Sequence, residues 1–284
     1  MSVLESIQTP ADRPVIMTVC ADSGMGKTSF AATFPKPIFI RAEDGLQAIP
    51  ATRRPDALPV MHKVSELWEQ LTALCNEDHD YQTVVIDSVT ALERLFVAEV
   101  LAQDPKAKSI NQALGGYGAG VAAVAAMHQR VRKAAGILNE RRNMHVVFVA
   151  HADVETMRLP DTDDYQRYSL RLPPKSLPPY VDDVDLVGFI KLTTFTRGED
   201  GERKKAISTG EREMICHAVA ANISKNRFGI EEPLPVKVGE NPLTDYVPSL
   251  GGQDTENGPA FVRHQTNDET SEADRLANEL GEDQ

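Results

Sequence analysis

The feature that most constrains this chain is the octet Ala21-Asp22-Ser23-Gly24-Met25-Gly26-Lys27-Thr28, of the form [G/A]-x-x-x-x-G-K-[S/T]. An apolar, β-rich run at residues 14–20 precedes it, and residues 29–34 can open a helix. Strand, glycine loop and helix N-terminus together make an anion site, because backbone N–H groups and the helix dipole face one point. Gly24 and Gly26 allow backbone angles that a Cβ would obstruct. Lys27 offers a point charge to the outer phosphates, and the Thr28 hydroxyl is a ligand for Mg²⁺. Asp22, Ser23, Gly24, Met25, Gly26, Lys27, Thr28 and Ser29 are therefore the candidate nucleotide-binding residues. Ala21 at the first motif position is a departure from Gly. A chance glycine-rich turn is the competing account, and it explains neither the Lys-Thr pair nor the flanks. The expected ligands are ATP and Mg²⁺.

A chain of 284 residues can hold one large domain or two small ones, and the apolar fraction of 41% is ordinary for a globular protein. Cys20, Cys75 and Cys216 are far apart and form no C-x-x-C pair, which argues against a disulfide framework or a zinc site and fits a reducing compartment. With no apolar run of membrane-spanning length and no signal pattern, the expected location is the cytoplasm, away from membranes. The net charge of −12 disfavours a nucleic-acid partner until its distribution is considered. Nine acidic and two basic residues fall in 251–284, so about −5 is left for the preceding 250 residues, with room for basic patches.

Residues 37–41 predict a second strand running straight into Ala42-Glu43-Asp44-Gly45, and 58–61 a short strand. Helical spacing follows over 64–75. Residues 81–88 form an apolar strand ending in Asp87, expected to pair with the P-loop strand, and 88–101 a helix. Periodicity is lost over 102–120, a long loop of the kind that is functional or disordered. An amphipathic helix over 121–139 leads to a buried strand, 144–151, tipped by His151. Residues 152–180 are expected to be irregular, with strands at 184–194 and 213–223 joined near Gly198-Glu199-Asp200-Gly201. The composition beyond 243 predicts a disordered acidic tail with a short helix near 273–280. The expected division is a polar leader at 1–12, an ATPase core at 13–242 and the tail at 243–284. Alternating strands and helices, with phosphate and acid motifs at strand C-termini, imply an α/β fold whose mainly parallel sheet is flanked by helices.

Asp87 occupies the Walker B position, where it would share Mg²⁺ with Thr28; capping the next helix is its plainer role. Ser88 follows it, so the group that activates water must come from elsewhere. Glu43 at the tip of the neighbouring strand is the candidate, with Asp44 as its competitor and a pair of solvated loop acids as the alternative. His151 is placed to sense a γ-phosphate, although a lone His is more often structural. Lys225-Asn226-Arg227-Phe228-Gly229 puts two cations on one loop, as a finger for a neighbouring subunit's γ-phosphate would require; a basic turn closed by glycine is the alternative.

That pentapeptide resembles the signature of the RadA/Sms branch of the RecA superfamily and is similar to the Lys-Asn-Lys finger of RecA. Phe39-Ile40-Arg41-Ala42-Glu43 resembles the RecA strand ending in its catalytic glutamate, and residues 132–138 the helix before the sensor strand. His151 falls where RecA has its switch glutamine, a departure that leaves its role open. The likeness spans roughly residues 12–240 and is greatest to compact phage-encoded RecA-like ATPases that promote single-strand annealing. It implies a RecA-like P-loop NTPase core, Lys27, Glu43, His151, Lys225 and Arg227 as catalytic residues, and head-to-tail assembly into a ring or filament. It also implies DNA-binding loops at 104–120 and 152–178. Lys106, Lys108 and Tyr117 in the first, with Arg158, Arg167, Arg171 and Lys175 in the second, suit single-stranded DNA, cations to phosphates and rings to bases. Asp161, Asp163 and Asp164 dilute that signal. The expected function is ATP-dependent single-stranded-DNA binding in recombination or annealing, with DNA-stimulated hydrolysis. The setting would be a bacterial host cell and a single-stranded-DNA-binding protein a further candidate partner. A ring-forming helicase or translocase, and a nucleotide-gated adaptor that binds protein only, are the rival readings.

Overall fold

The computed structural model describes residue 7 and residues 11–197 and 205–251. The strands are β1 (Ile16–Ala21), β2 (Pro37–Arg41), β3 (Asp56–Val60), β4 (Thr83–Asp87), β5 (His145–Met157), β6 (Tyr165–Leu170), β7 (Leu186–Arg197), β8 (Lys205–Ile215), β9 (Lys225–Asn226) and β10 (Leu234–Pro235). The α-helices are α1 (Lys27–Ala31), α2 (Val64–Asn76), α3 (Val89–Gln103), α4 (Ala119–Arg142) and α5 (Pro178–Val181).

β1 is buried along its whole length because both faces of it are covered, as expected of a central parallel strand. Met17, Val19 and Ala21 point to the side of Phe30 and Phe34, which follow the P-loop. Ile16 and Cys20 point to the opposite side, packed with α2, α3 and α4 through Leu67, Leu71, Phe96 and Leu138. Each large apolar side chain so buried contributes about 1.5–3 kcal/mol, which makes this sheet a stiff platform for the loops at its C-terminal edge.

The sheet runs β10-β8-β7-β1-β5-β4-β2-β3, with β6 on β5 and β9 on β7. β7, β1, β5, β4, β2 and β3 are mutually parallel; β8, β10, β6 and β9 pair antiparallel with their neighbours. The expected α/β architecture is therefore present, with a correction to its order: β4 does not pair with the P-loop strand. β5 lies between them, bonded to β1 on one side and β4 on the other. The arrangement brings the ends of β2, β4 and β5 together beside the P-loop.

Two further corrections follow from non-local pairing. Residues 152–180 are not irregular at their start, since β5 continues to Met157 and returns as β6 in an antiparallel hairpin, Asp153 opposite Ser169 and Met157 opposite Tyr165. Residues 213–223 do not form one strand: β8 ends at Ile215, and the chain bends away before returning as β9. Residues 243–251, expected to lie beyond the core, turn back onto it and bury Leu243 and Val247 against the α1 side. The Gly198–Gly201 turn, most of the leader and the tail helix near 273–280 lie outside the described residues.

Candidate functional site

The P-loop passes from β1 to α1 through Gly24 at φ +79° and Gly26 at φ +88°, left-handed positions at which a side chain would be strained. Lys27 is buried, and its ammonium donates to the carbonyls of Ala21 and Asp22, each at 2.9 Å. That burial pushes its pKa down, against the charges of nearby Asp87 and Glu43. Thr28 Oγ1 donates to Asp87 Oδ2 at 2.8 Å across the gap between α1 and β4. Gly45 closes this corner: a Cβ there would lie 3.3 Å from Thr28 Oγ1 and 3.5 Å from Asp87 Oδ2, so the small residue keeps the space open. A hydroxyl and a carboxylate facing such a space form the hard-oxygen donor pair that suits Mg²⁺, which takes its remaining ligands from phosphates and water. Among the described residues no group of three or more His, Cys, Asp or Glu could hold a metal ion by itself.

Asp87 is 3% exposed, and burial raises its carboxyl pKa to about 6; the Thr28 bond opposes the shift and the Glu43 charge adds to it. Its folded pKa therefore lies above the ordinary 3.8, so the folded state binds this proton more tightly and gains stability from this group as pH falls from above 6 towards 4. Removing the charge removes the penalty. At pH 8 without Mg²⁺, Asp87→Asn should raise the melting temperature by several degrees, from about 2–3 kcal/mol. The gain should vanish near pH 4 in thermal melts followed by circular dichroism. A lowered melting temperature at pH 8 would contradict it.

Glu43 follows β2 and faces this corner. His151 Nε2 lies 2.9 Å from Glu43 Oε1; an ionised carboxylate only accepts, so Nε2 carries the proton and donates. This bond, with help from Ser88, the imidazole and Arg94, holds the Glu43 carboxyl at about 2 against the opposing effect of burial. Arg94 Nη2 stands 3.9 Å from Glu43 Oε2. The His151 main-chain N–H donates to Thr90 Oγ1 at 3.0 Å, while its buried Nδ1 has no partner among the described residues. Asp44 is turned away into an ion pair with Arg41 at 3.1 Å. Lys27, Thr28, Glu43, Asp87 and His151 thus converge at one sheet edge.

The other expected residues do not join them. Lys225 and Asn226 form β9 on the opposite end of β7, with Lys225 bonded to the Asp182 carbonyl. Arg227 Nη1 pairs with buried Asp185 at 2.9 Å, and Arg13 Nη2 takes the same oxygen at 2.6 Å. Asp185 also accepts from the Ile16 N–H, which puts Arg227 at the beginning of β1. The P-loop is at its end, about 17 Å away at the rise of a strand.

The DNA-loop candidates form a third group beyond the P-loop edge. His151 is opposite Ala21 in the β1–β5 register, and past it β5 leaves β1 to enter the hairpin with β6. Arg167 is neutralised by Glu155 at 2.6 Å and Arg158 approaches Asp164 at 3.5 Å, while Arg171 and Lys175 are exposed. The 102–120 segment holds Tyr117 fully exposed at φ +51°, with Lys106 and Lys108 also exposed. Lys175 Nζ lies against Gly118, 3.9 Å from where its Cβ would stand, so the two segments meet.

The family model described as an AAA domain matches residues 13–228. The chain belongs to the AAA domain family. The matched stretch runs from three residues before β1 to the finger candidate, so all three groups lie within the AAA domain or, for Arg13 and Arg227, near its limits. A search of curated proteins finds no match. Among solved structures, the crystal structure of the RadB recombinase is similar over 83% of this chain and 94% of its own, with 13% identity and a TM-score of 0.45. No helix among the described residues is long and apolar enough to cross a membrane.

One residue beside the P-loop escapes the sequence. Arg212 of β8 extends over Gly26, where a Cβ would meet its Nη1 at 2.7 Å. No motif marks it, because one intervening strand, β7, and some 185 residues of chain separate it from the loop it touches.

Proposed function

We propose that this AAA domain is a Mg²⁺-dependent ATPase of RecA type that binds single-stranded DNA and serves recombination or annealing. In this reading, residues 22–29 cradle the triphosphate and Thr28 with Asp87 holds Mg²⁺, which neutralises charge developing on the phosphates. Glu43 orients the attacking water. Its low basicity suits that role, because a loose phosphoryl-transfer transition state asks chiefly for a positioned water, with its proton leaving late. The observation that carries the reading is the Glu43–His151 hydrogen bond. It joins the candidate water-positioning group to the residue where β5 departs into the hairpin that carries Arg158 and Arg167 and leads on to Arg171 and Lys175. A shift at Glu43 is thus relayed to the hairpin through one imidazole. Lys225 and Arg227, which are remote from their own P-loop, fit a neighbouring subunit's site, and with it head-to-tail assembly.

The test is fluorescence anisotropy of a labelled single strand over a salt series. Binding should weaken with a log–log slope of about −0.7 per phosphate neutralised, and Arg171→Ala/Lys175→Ala should make it shallower. No binding at low salt would favour a nucleotide-gated protein adaptor instead.

A further inference from the structure

Arg212 stands on the side of the P-loop opposite to the catalytic corner. In the sheet order, β4 and β2 lie to one side of β1 with Asp87 and Glu43; β7 and β8 lie to the other and bring Arg212. Arg212 shares its strand face with Met214, which is fully buried on the α1 side, so its side chain extends along the surface from which the P-loop rises. The backbone is firmly held there: the Arg212 carbonyl accepts from the Val236 N–H at 2.9 Å, and Leu192 is its partner in β7. The guanidinium is partly exposed and pairs with no carboxylate among the described residues. It also borders a cleft of about 550 Å³ along the β10 edge, where Pro235, Val236 and Val238 offer apolar surface and Glu211, Glu213 and Lys237 polar groups.

A linear triphosphate across the P-loop has two ends. If its γ-end and Mg²⁺ lie towards Thr28, Asp87 and Glu43, its α-phosphate and nucleoside lie towards β8. A planar guanidinium with several donors is the side chain best matched to phosphate oxygens, and the cleft beyond it has the size of a small-ligand pocket. We propose that Arg212 binds the α/β-phosphate end of the nucleotide from within the same subunit and that the cleft along β10 receives the nucleoside. The inference rests on the nucleotide-binding reading above and adds to it the direction in which the nucleotide lies.

The experiment is calorimetric binding of Mg-ATP and Mg-ADP to wild type, Arg212→Ala, Arg212→Lys and Lys27→Ala. Arg212→Ala should weaken both nucleotides alike, about ten- to a hundredfold, because the contact does not involve the γ-phosphate. Arg212→Lys, which keeps the charge without the fork, should fall between. Full affinity in Arg212→Ala while Lys27→Ala loses binding would overturn the Arg212 assignment alone. Loss confined to Mg-ATP would overturn the orientation. Failure of wild type to bind either nucleotide would overturn the nucleotide reading itself. Wild-type protein also gives an answer without substitution: Mg-ADP should shield Arg212 from phenylglyoxal, read by mass spectrometry of its peptide. Unchanged labelling at saturating Mg-ADP would contradict the proposal.

Discussion

Glu43→Gln is expected to slow ATP hydrolysis by about 10²–10⁴-fold while leaving Mg-ATP affinity essentially intact. The substitution preserves the size of the side chain and an oxygen that can accept from His151 Nε2, so the corner formed by β2, β4 and β5 should keep its shape. What it removes is the negative charge facing the attacking water. The counterpart is Asp44→Asn, which acts on a side chain paired with Arg41 and turned from the site, and should hydrolyse at the wild-type rate. Steady-state phosphate release with a parallel nucleotide-binding measurement separates the two. Normal hydrolysis by Glu43→Gln, or its loss in Asp44→Asn, would transfer the role to Asp44.

Arg227→Ala should reduce hydrolysis by about 10³-fold or more in the assembled protein, the scale on which arginine fingers act. The fold should survive, because Asp185 keeps Arg13 and the Ile16 N–H as partners. The decisive form of the experiment is a mixture. Lys27→Ala subunits have a damaged P-loop and an intact finger, and Arg227→Ala subunits the reverse. Mixed interfaces that pair the two intact halves should restore part of the activity that neither variant has alone. Absence of any recovery on mixing, with both variants shown to co-assemble, would make Arg227 a structural partner of Asp185 and nothing more.

The parts of this site that are legible in the sequence are those encoded by local pattern. The P-loop octet fixes its own turn through two glycines, and an apolar run ending in an acid identifies the tip of β4. Glu43 and His151 can each be nominated from strand ends, yet their hydrogen bond cannot, because it depends on β4 separating β2 from β5. The same non-local order explains the misplacement of Asp87's strand, since motif order along a chain does not reveal which strand inserts between two others. The hairpin escapes notice because residues 153–169 carry many charged and polar side chains, as a solvated hairpin does and as an irregular loop also does. Leu243, Val247 and Leu250 form a short run interrupted by Pro248 and followed by Gly251 and Gly252, too brief to signal that the chain turns back onto the core. Arg212 illustrates the limit most plainly: its importance lies in what β8 is beside.

Nucleotide state at Glu43 and His151 is proposed to govern the hairpin, and through it the proposed binding of DNA. The most direct measurement is the affinity of wild type for a labelled single strand with Mg-ATP, with Mg-ADP and without nucleotide, at one fixed salt concentration. Binding should be tighter with Mg-ATP than in the other two states, and that difference should be lost in His151→Ala. Affinity that is the same in all three states would contradict the coupling, since nothing would then connect the P-loop to the hairpin.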